Sequence, residues 1–464
     1  MAFGQQARRH FKRFFEGIGN ERLRLNLLQA IPFWVASLLS GLAAVLFTKL
    51  FAYAEGMRSF LFHQHNWVFF FLTPVGFIIS WWLVVRWAPF SRGSGIPQVM
   101  AAIELANPKQ NELVDKLLSF RIIVFKMLSS LVMVFAGGGI GREGPTIQIA
   151  GSIFRKINQW LPAWWPKISK RNMIMAGAAA GLAAAFNTPL GGVVFAVEEL
   201  TRTHFRYFKT ALFSAVIIAG LTAQGMLGPY LYLGYPVINS LSNLIFLGVV
   251  AVALVAGMAG SFMSKAILGI NKWKSSFRFN WQHLLFLISC GWTIAILANL
   301  VNEEVLGSGR GLMTRVLFTG NKYSPVDIPL LRMLGPVLSF TSGAAGGIFA
   351  PALSAGAAIG SFASKLFSLS DSNTNLLILS GMVGFLTGVT RTPFTSAILV
   401  LEMTDRHNVI FHLLLAGLSA NLIALAVDRH SLYDHLKFQY IRDLRKEEQS
   451  PEPLAPADEE GGPE

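Results

Sequence analysis

Two glutamates lie in stretches that are otherwise small or apolar, and both have the chemistry of a proton carrier. Glu143 lies within Gly141-Arg142-Glu143-Gly144-Pro145, and Glu199 ends a pair of glutamates inside an apolar run. An ionised carboxylate at membrane depth costs several kcal/mol, so such residues usually belong to a proton relay or an ion pathway. The structural alternative is that each carboxylate pairs with a nearby arginine, such as Arg142 or Arg202.

Backbone amides offer a second kind of chemistry. The segments Gly141–Pro145 and Gly347–Pro351 both end in proline, and a new helical stretch follows each of them. Because proline is well tolerated in the first turn of a helix, each segment predicts a loop that feeds a helix N-terminus. Such an N-terminus presents unpaired N–H groups and about half a positive charge, which binds an anion less tightly than a full cation would. The plainer interpretation is that these residues only kink packed helices.

The same segments belong to an internal repeat, because four landmarks recur in the same order and at nearly constant spacing in the two halves of the chain. The matched pairs are Gly93–Gly95 with Gly307–Gly309, Lys126 with Arg332, Gly141–Pro145 with Gly347–Pro351, and Thr188–Pro189 with Thr392–Pro393. Membrane proteins with two such halves are commonly inverted repeats that hold their substrate between the halves. A parallel repeat remains open, since it also gives an even number of crossings.

Acidic residues that both halves share indicate a structural role, whereas acidic residues present in only one half indicate a function. Glu198 recurs as Glu402, which indicates a shared structural role such as capping or pairing. The two candidate proton carriers have no acidic counterpart: Glu143 aligns with Phe349, and Glu199 aligns with Met403. A carboxylate that only one half carries needs a functional reason, and a buried proton relay is the default.

The elements that position these residues must lie in lipid. The chain has 464 residues, of which 53% are hydrophobic and 14% charged, whereas a soluble domain carries about 25% charged residues. Apolar runs such as Leu27–Leu50, Trp67–Val85 and Leu284–Leu300 recur along its length, and several reach the roughly 20 residues of a spanning helix. The pattern predicts an all-α integral membrane protein whose helices are partly broken or re-entrant.

The predicted organisation has four parts. Residues 1–26 form a basic arm, cytoplasmic by the positive-inside tendency; residues 27–240 form the first transmembrane repeat; residues 241–435 form the second repeat and a final helix. Residues 436–464 form a short cytoplasmic tail that is mostly disordered, because its end is rich in proline, glutamate and glycine. The net charge of +14 reflects membrane topology rather than nucleic-acid binding. The single Cys290 excludes an intrachain disulfide and a cysteine-based metal site, and we expect neither a metal nor a cofactor.

Three segments together resemble the CLC family of chloride channels and proton–chloride exchangers. They are Gly93-Ser94-Gly95-Ile96-Pro97, Gly141-Arg142-Glu143-Gly144-Pro145 and Gly347-Ile348-Phe349-Ala350-Pro351, and the similarity extends over about residues 30–435. The resemblance implies the CLC-type inverted-repeat fold and a homodimer with one pore per subunit. It further implies a multi-pass protein of the cell membrane, as in bacterial exchangers of the inner membrane.

The resemblance also implies roles for individual residues. Chloride would be bound by the hydroxyls of Ser94 and Tyr433 and by the backbone N–H groups of Ile348 and Phe349. Glu143 would be the external gate shared by chloride and protons, and Glu199 the internal proton-transfer glutamate that is typical of exchangers. Ser94 in an intact Gly-Ser-Gly-Ile-Pro motif favours chloride over fluoride.

These features predict a proton-coupled chloride antiporter. The main alternative is a passive voltage- or pH-gated chloride channel, because this chain has Gln98 and Met100 where many bacterial exchangers carry acidic residues. An intramembrane hydrolase with Ser94 as nucleophile would need a general base at the same depth. No histidine of the sequence makes an obvious partner for that serine, so we expect no enzyme.

Overall fold

A computed structural model describes residues 20–107, 110–200, 209–228, 231–239, 241–367 and 369–449. Seven segments within these ranges are long and apolar enough to span a membrane, from Arg24–Trp87 to His407–Val427. The same ranges contain no β-strand, only two isolated bridges. The predicted all-α membrane architecture with interrupted helices is confirmed.

The described part of the first half contains nine α-helices of very unequal length. They are α1 (Glu21–His65), α2 (Phe69–Trp87), α3 (Ile96–Glu104), α4 (Asn111–Leu117), α5 (Phe120–Phe135), α6 (Glu143–Trp160), α7 (Lys170–Phe186), α8 (Pro189–Phe195) and α9 (Lys209–Leu227). A short π-helix, Ala196–Leu200, directly extends α8 and carries Glu199. Helix α7 is buried from Met173 to Phe186, and its many alanines and glycines allow neighbouring helices to approach closely.

The second half, as far as the structure describes it, contains nine further α-helices. They are α10 (Ile245–Lys274), α11 (Asn280–Leu300), α12 (Arg310–Phe318), α13 (Asp327–Thr341), α14 (Phe349–Leu366), α15 (Asp371–Thr390), α16 (Pro393–Thr404), α17 (Ile410–Val427) and α18 (Leu432–Gln449). Helices α6 and α14 have the same length and begin at Glu143 and Phe349, which are counterparts in the sequence repeat. Helices α3 and α12 also have equal lengths, and each begins directly after the last glycine of its Gly-Ser-Gly segment. The element boundaries therefore follow the sequence repeat.

The breaks between helices have the same local cause in both halves. Asn187 ends α7 and Arg391 ends α15, and both adopt left-handed backbone conformations, with φ of 58° and 63°. Such a conformation is uncommon for a residue with a side chain and ends a helix without a glycine. A threonine and then a proline follow each of them, and Pro189 and Pro393 begin the next helix. Proline suits this position because the N–H that it lacks would have no partner there.

Helix α18 differs from the predicted tail. The sequence placed the end of the final helix at residue 435, but the helix continues to Gln449. The predicted end of the final helix was therefore wrong, and residues 436–449 of the predicted tail are helical. The reason is an apolar stripe at helical spacing, with Leu436, Tyr440 and Leu444 buried on one face. Residues 450–464 lie outside the described part of the chain, as do residues 1–19 of the predicted basic arm.

Candidate anion and proton site

The three predicted loops meet at one place in the structure. Gly141 and Gly347 exchange two backbone hydrogen bonds, with N–O distances of 2.8 and 2.7 Å. Beside them, the Gly93 N–H donates to Ala344 at 2.8 Å and the Gly93 carbonyl accepts from Gly346 at 3.0 Å. Helices α3, α6 and α14 therefore begin side by side, and their unpaired N–H groups lie near one another.

Ser94 lies at a close contact between the starts of α3 and α6. It is buried, with a relative exposure of 1%, and the next residue, Gly95, has φ of +108°. A side chain at Gly95 would place its Cβ 2.8 Å from the Gly144 carbonyl oxygen of α6. Glycine at this position therefore permits both the left-handed turn and the close approach that brings Ser94 to the N-terminus of α6.

Tyr433 adds a second buried hydroxyl beside that of Ser94. Its ring stacks on Phe349, with ring centroids 6.2 Å apart and 10° between the planes, and its hydroxyl lies next to Ser94. Within the described residues, neither hydroxyl oxygen has a hydrogen-bond partner of good geometry. Ile348 and Phe349, the N-cap and first residue of α14, are equally buried. Buried hydroxyls normally have partners, so this pair and the adjacent helix N-terminus have the composition of an anion site.

Glu143 is the first residue of α6 and has a relative exposure of 1%. Its Oε1 accepts a hydrogen bond from the Tyr232 hydroxyl at 3.2 Å, and its Oε2 has no partner among the described residues. The guanidinium of Arg142 instead donates to the Thr48 carbonyl at 3.3 Å. Arg202, the other arginine considered from the sequence, lies outside the described residues. The structure therefore gives Glu143 a tyrosine as partner and, in its described part, no ion pair.

Aromatic residues connect the Glu143 region to the hydroxyl pair. Phe186 packs edge-on against Tyr232 with centroids 5.1 Å apart, and against Phe349 with centroids 6.1 Å apart. The guanidinium of Arg310 lies 5.1 Å from the centre of the Tyr232 ring. Sequence reasoning missed Tyr232, which lies in a stretch without a chemical motif, and Arg310, although that residue directly follows the Gly307–Gly309 segment.

Glu199 lies in the π-helix and lines a separate cavity of about 200 Å³. The cavity is also lined by Met100, Glu104, Arg171 and Lys437. The two candidate proton carriers are therefore on different elements, Glu143 at the start of α6 and Glu199 in the π-helix.

Two buried cations hold the loops that precede the short helices. Lys126 donates to the carbonyls of Ser91 and Gly93 at 2.8 and 2.7 Å. Its counterpart Arg332 donates to three carbonyls of the other half, those of Glu304, Leu306 and Gly307. These cations bind backbone oxygen, so they stabilise the loops that position the helix N-termini.

A family model described as "Voltage gated chloride channel" matches residues 75–425, which include all three glycine-rich segments and Glu199. The chain belongs to the CLC family. It is 29% identical to the H(+)/Cl(-) exchange transporter ClcA of Salmonella typhimurium, over 92% of this chain and 91% of that protein. It is 30% identical to the ClcA of Salmonella arizonae, with the same coverage.

Solved CLC structures share the fold. A slow cyanobacterial Cl−/H+ antiporter superposes with a TM-score of 0.76 at 25% identity, over 91% of this chain and 99% of that one. A CLC-type fluoride/proton antiporter superposes with a TM-score of 0.74 at 22% identity, over 89% and 98%. The CLC-type inverted-repeat fold predicted from the sequence is confirmed.

Two positions at which this CLC protein departs from many bacterial exchangers have distinct environments. The Gln98 amide donates to the carbonyls of Phe90 and Arg92, at 3.1 and 2.6 Å, and so fixes the loop before Ser94. Met100 lines the cavity of Glu199. Gln98 therefore has a structural role, whereas Met100 leaves the cavity without an acid at that position of α3.

Other chemistry finds less support in this CLC structure. Ser94 Oγ has no hydrogen-bonded base among the described residues, so the arrangement of an activated serine nucleophile is not formed there. Elsewhere among the described residues, Asp428, His430 and His435 bring possible metal-ligand atoms within 4.8 Å of one another. The carboxylate already accepts hydrogen bonds from the His430 N–H at 2.9 Å and the His435 ring at 3.1 Å, which account for the cluster.

Proposed function

We propose that this protein exchanges chloride for protons across a cell membrane. The observation that carries the proposal is the placement of two carboxylates on different elements: Glu143 is buried at the start of α6, beside the three glycine-rich loops, and Glu199 lines a separate cavity. Its relatives in Salmonella bear the name H(+)/Cl(-) exchange transporter, and a solved relative is a Cl−/H+ antiporter. A channel needs only a gate, whereas an exchanger needs a second proton carrier on the other side of the anion site.

The anion site works through dipoles rather than through a fixed charge. Chloride accepts hydrogen bonds from the Ser94 and Tyr433 hydroxyls and from the backbone N–H groups of Ile348 and Phe349. The helix dipole of α14 adds favourable potential, and these four donors carry no formal charge, so the ion leaves as readily as it enters. The aromatic rings of Phe349 and Tyr433 exclude water around it.

Glu143 links the two ions because its carboxylate and chloride require the same donors. When ionised, the carboxylate is an anion at the N-terminus of α6 and competes with chloride for the converging N–H groups. When protonated, it loses that attraction and leaves the place to chloride. Glu199 then transfers the proton between the surroundings of Tyr433 and the cytoplasm by a branch that chloride does not use.

The family assignment also supports a proposal for assembly and location. We propose a homodimer with one pore per subunit, in the inner membrane of a bacterium, with both termini cytoplasmic. The transported ions are chloride and protons, and no cofactor, nucleic acid or catalytic reaction is involved. The intact Gly93–Pro97 motif favours chloride over fluoride.

A liposome experiment tests the exchange. Purified protein is reconstituted with high chloride inside, and proton movement is followed with an external pH electrode. We expect chloride efflux to drive protons inward against their gradient. Glu199→Gln should keep chloride flux and lose proton movement, and Glu448→Gln, at an exposed glutamate of α18, should behave like the unmodified protein.

The same measurement separates the exchanger from the passive chloride channel. A channel dissipates the chloride gradient without moving protons uphill, in the unmodified protein as well as in Glu199→Gln. Uphill proton movement that persists in Glu199→Gln would instead show that another residue carries the internal proton.

A further inference from the structure

A second glutamate lies between the Glu199 cavity and the protein surface, and it was not predicted from the sequence. Glu104 is the last residue of α3 and lines the cavity together with Glu199. Its side chain is 50% exposed, so one part of it contacts solvent while the cavity holds the other. It follows Met100 by one helical turn, which places both side chains on one face of the helix.

A buried lysine lies between this glutamate and the final helix. The Lys437 side chain is only 2% exposed, and its ammonium lies 3.4 Å from Glu104 and 3.5 Å from Asp434. Ammonium groups are rarely buried without counter-charges, and here two carboxylates supply them. Lys437 also follows Tyr433 by one helical turn, so the same stretch of α18 contacts both the anion site and the proton cavity.

The charges around the cavity are nearly balanced. Glu104, Asp434 and Glu199 contribute three carboxylates from three elements, and Lys437 and Arg171 contribute two cations. Carboxylates that share a small cavity repel one another and so favour binding of a proton. Lys437 offsets this repulsion, because its ammonium lies 3.4 Å from Glu104 and 3.5 Å from Asp434.

On the basis of the proposed exchange, we propose that Glu104 is the cytoplasmic entry residue of the proton branch and that Lys437 positions and balances it. A Glu104 carboxylate oxygen takes a proton from cytoplasmic water, and water within the 200 Å³ cavity passes a proton to Glu199. No bond other than O–H bonds forms or breaks. Glu104 lies one helical turn after Met100 on α3. It thus provides the acidic side chain that is missing at residue 100.

The test compares proton and chloride flux in the same liposomes. We expect Glu104→Gln to keep chloride turnover within about twofold and to lower proton uptake by about tenfold or more, as for the loss of a positioned proton donor. Glu104→Asp retains the carboxylate and should recover most of the proton flux. Glu112→Gln, at an exposed glutamate of α4, is the matched control and should leave both fluxes unchanged.

Two results would overturn the assignment while leaving the proposed exchange intact. The first is an unmodified ratio of protons to chloride in Glu104→Gln. The second is an equal slowing of both ions, which indicates a purely structural ion pair with Lys437. Failure of the exchange itself is recognised separately, because the unmodified protein would then move no protons uphill.

Lys437→Met provides an independent measurement. Removal of the buried ammonium deletes the cation that lies 3.4 Å from Glu104 and leaves one cation fewer around the cavity, so Glu104 should hold its proton more firmly. We expect the pH of half-maximal proton flux to shift upward, with chloride flux retained. An unshifted pH profile in a folded Lys437→Met protein contradicts the positioning role of the lysine.

Discussion

Gly141 and Gly347 come from opposite halves of the chain and bind each other through both of their backbone N–H and carbonyl groups. Each glycine is the counterpart of the other in the sequence repeat, so the pairing is what a local two-fold relation between the halves produces. The bridge fixes the starts of α6 and α14 against each other. The position of the anion site therefore depends on the contact between the halves rather than on either half alone.

Gly141→Ala should disturb this contact. A Cβ at residue 141 would meet Ala350 and the Pro351 ring at 3.2 Å, and Glu143 Oε2 more closely still. Because none of these neighbours except the Glu143 carboxylate moves freely, we expect the gate to shift and chloride turnover in liposomes to fall by about tenfold. Gly56→Ala is the control, since a Cβ there meets nothing within 4 Å; a normal turnover in Gly141→Ala would contradict the prediction.

Glu198 and Glu402 should both contribute to stability rather than to transport. Glu198 accepts hydrogen bonds from the Phe394 and Thr395 N–H groups and from the Thr395 hydroxyl, the last two at 2.6 and 2.7 Å. Glu402 accepts from Leu190 and Gly191 at the start of α8, at 3.1 and 2.8 Å. Each carboxylate therefore caps the N-terminus of a helix in the opposite half. This agrees with the shared capping or pairing role that the repeat predicted.

Alanine at these positions removes hydrogen bonds to N–H groups that are only partly buried, and a typical hydrogen bond contributes about 0.5–1.5 kcal/mol net. We expect Glu198→Ala to lower the apparent Tm in detergent by more than Glu402→Ala does, since it loses three hydrogen bonds instead of two. Glutamine retains one acceptor oxygen and should have a smaller effect. Equal Tm values for all of these proteins would exclude the capping role.

Tyr232→Phe should weaken the interaction that keeps the Glu143 carboxylate in its present position. The phenol donates a hydrogen bond to Glu143 Oε1 at 3.2 Å, and a hydrogen bond to a charged group contributes about 1.5–3 kcal/mol. Without it, chloride competes better with the carboxylate, and the Kd for chloride should fall roughly tenfold or more. Calorimetric titration with chloride measures the change, and Tyr53→Phe, at a tyrosine that is 68% exposed, is the control.

Removal of either buried hydroxyl should weaken chloride binding. Ser94→Ala and Tyr433→Phe each delete one donor, while the ring of residue 433 keeps its stacking on Phe349. A donor to a charged group is worth about 1.5–3 kcal/mol, so each change should raise the Kd for chloride by roughly tenfold or more. An unchanged Kd in both proteins would place the ion elsewhere.

Asp428 should make stability depend on pH in the acid range. Partial burial opposes ionisation, but the hydrogen bonds from the His430 N–H and the His435 ring outweigh it and hold the pKa of the Asp428 carboxyl below its ordinary value of 3.8. A lowered pKa in the folded state stabilises the protein above pH 3.8, and this contribution is lost as the pH falls through the folded value.

The corresponding substitution is Asp428→Asn. We expect it to lower the apparent Tm at pH 7, and the difference from the unmodified protein to shrink steadily below pH 3.8. A difference that grows on acidification would have the wrong sign and would exclude this linkage.

The sequence by itself predicted the features that arise from local chemistry. The first turns of four helices contain the expected prolines, Pro145, Pro189, Pro351 and Pro393, because the missing N–H and fixed φ of proline act within one turn. The repeat predicted which acids are shared, and Glu198 and Glu402 form equivalent caps. The apolar runs predicted a membrane protein, since lipid selects composition directly.

Only the tertiary structure decided which distant residues contact these features. Tyr232 reaches Glu143 from a remote part of the first half, and Lys437 reaches Glu104 from the opposite end of the chain; neither residue belongs to a motif or to one of the matched pairs of the repeat. The extension of α18 to Gln449 likewise depends on packing of its apolar face. Helix breaks are local and can be read from residue types, whereas the partner of a buried carboxylate is set by how the helices pack, which no local pattern encodes.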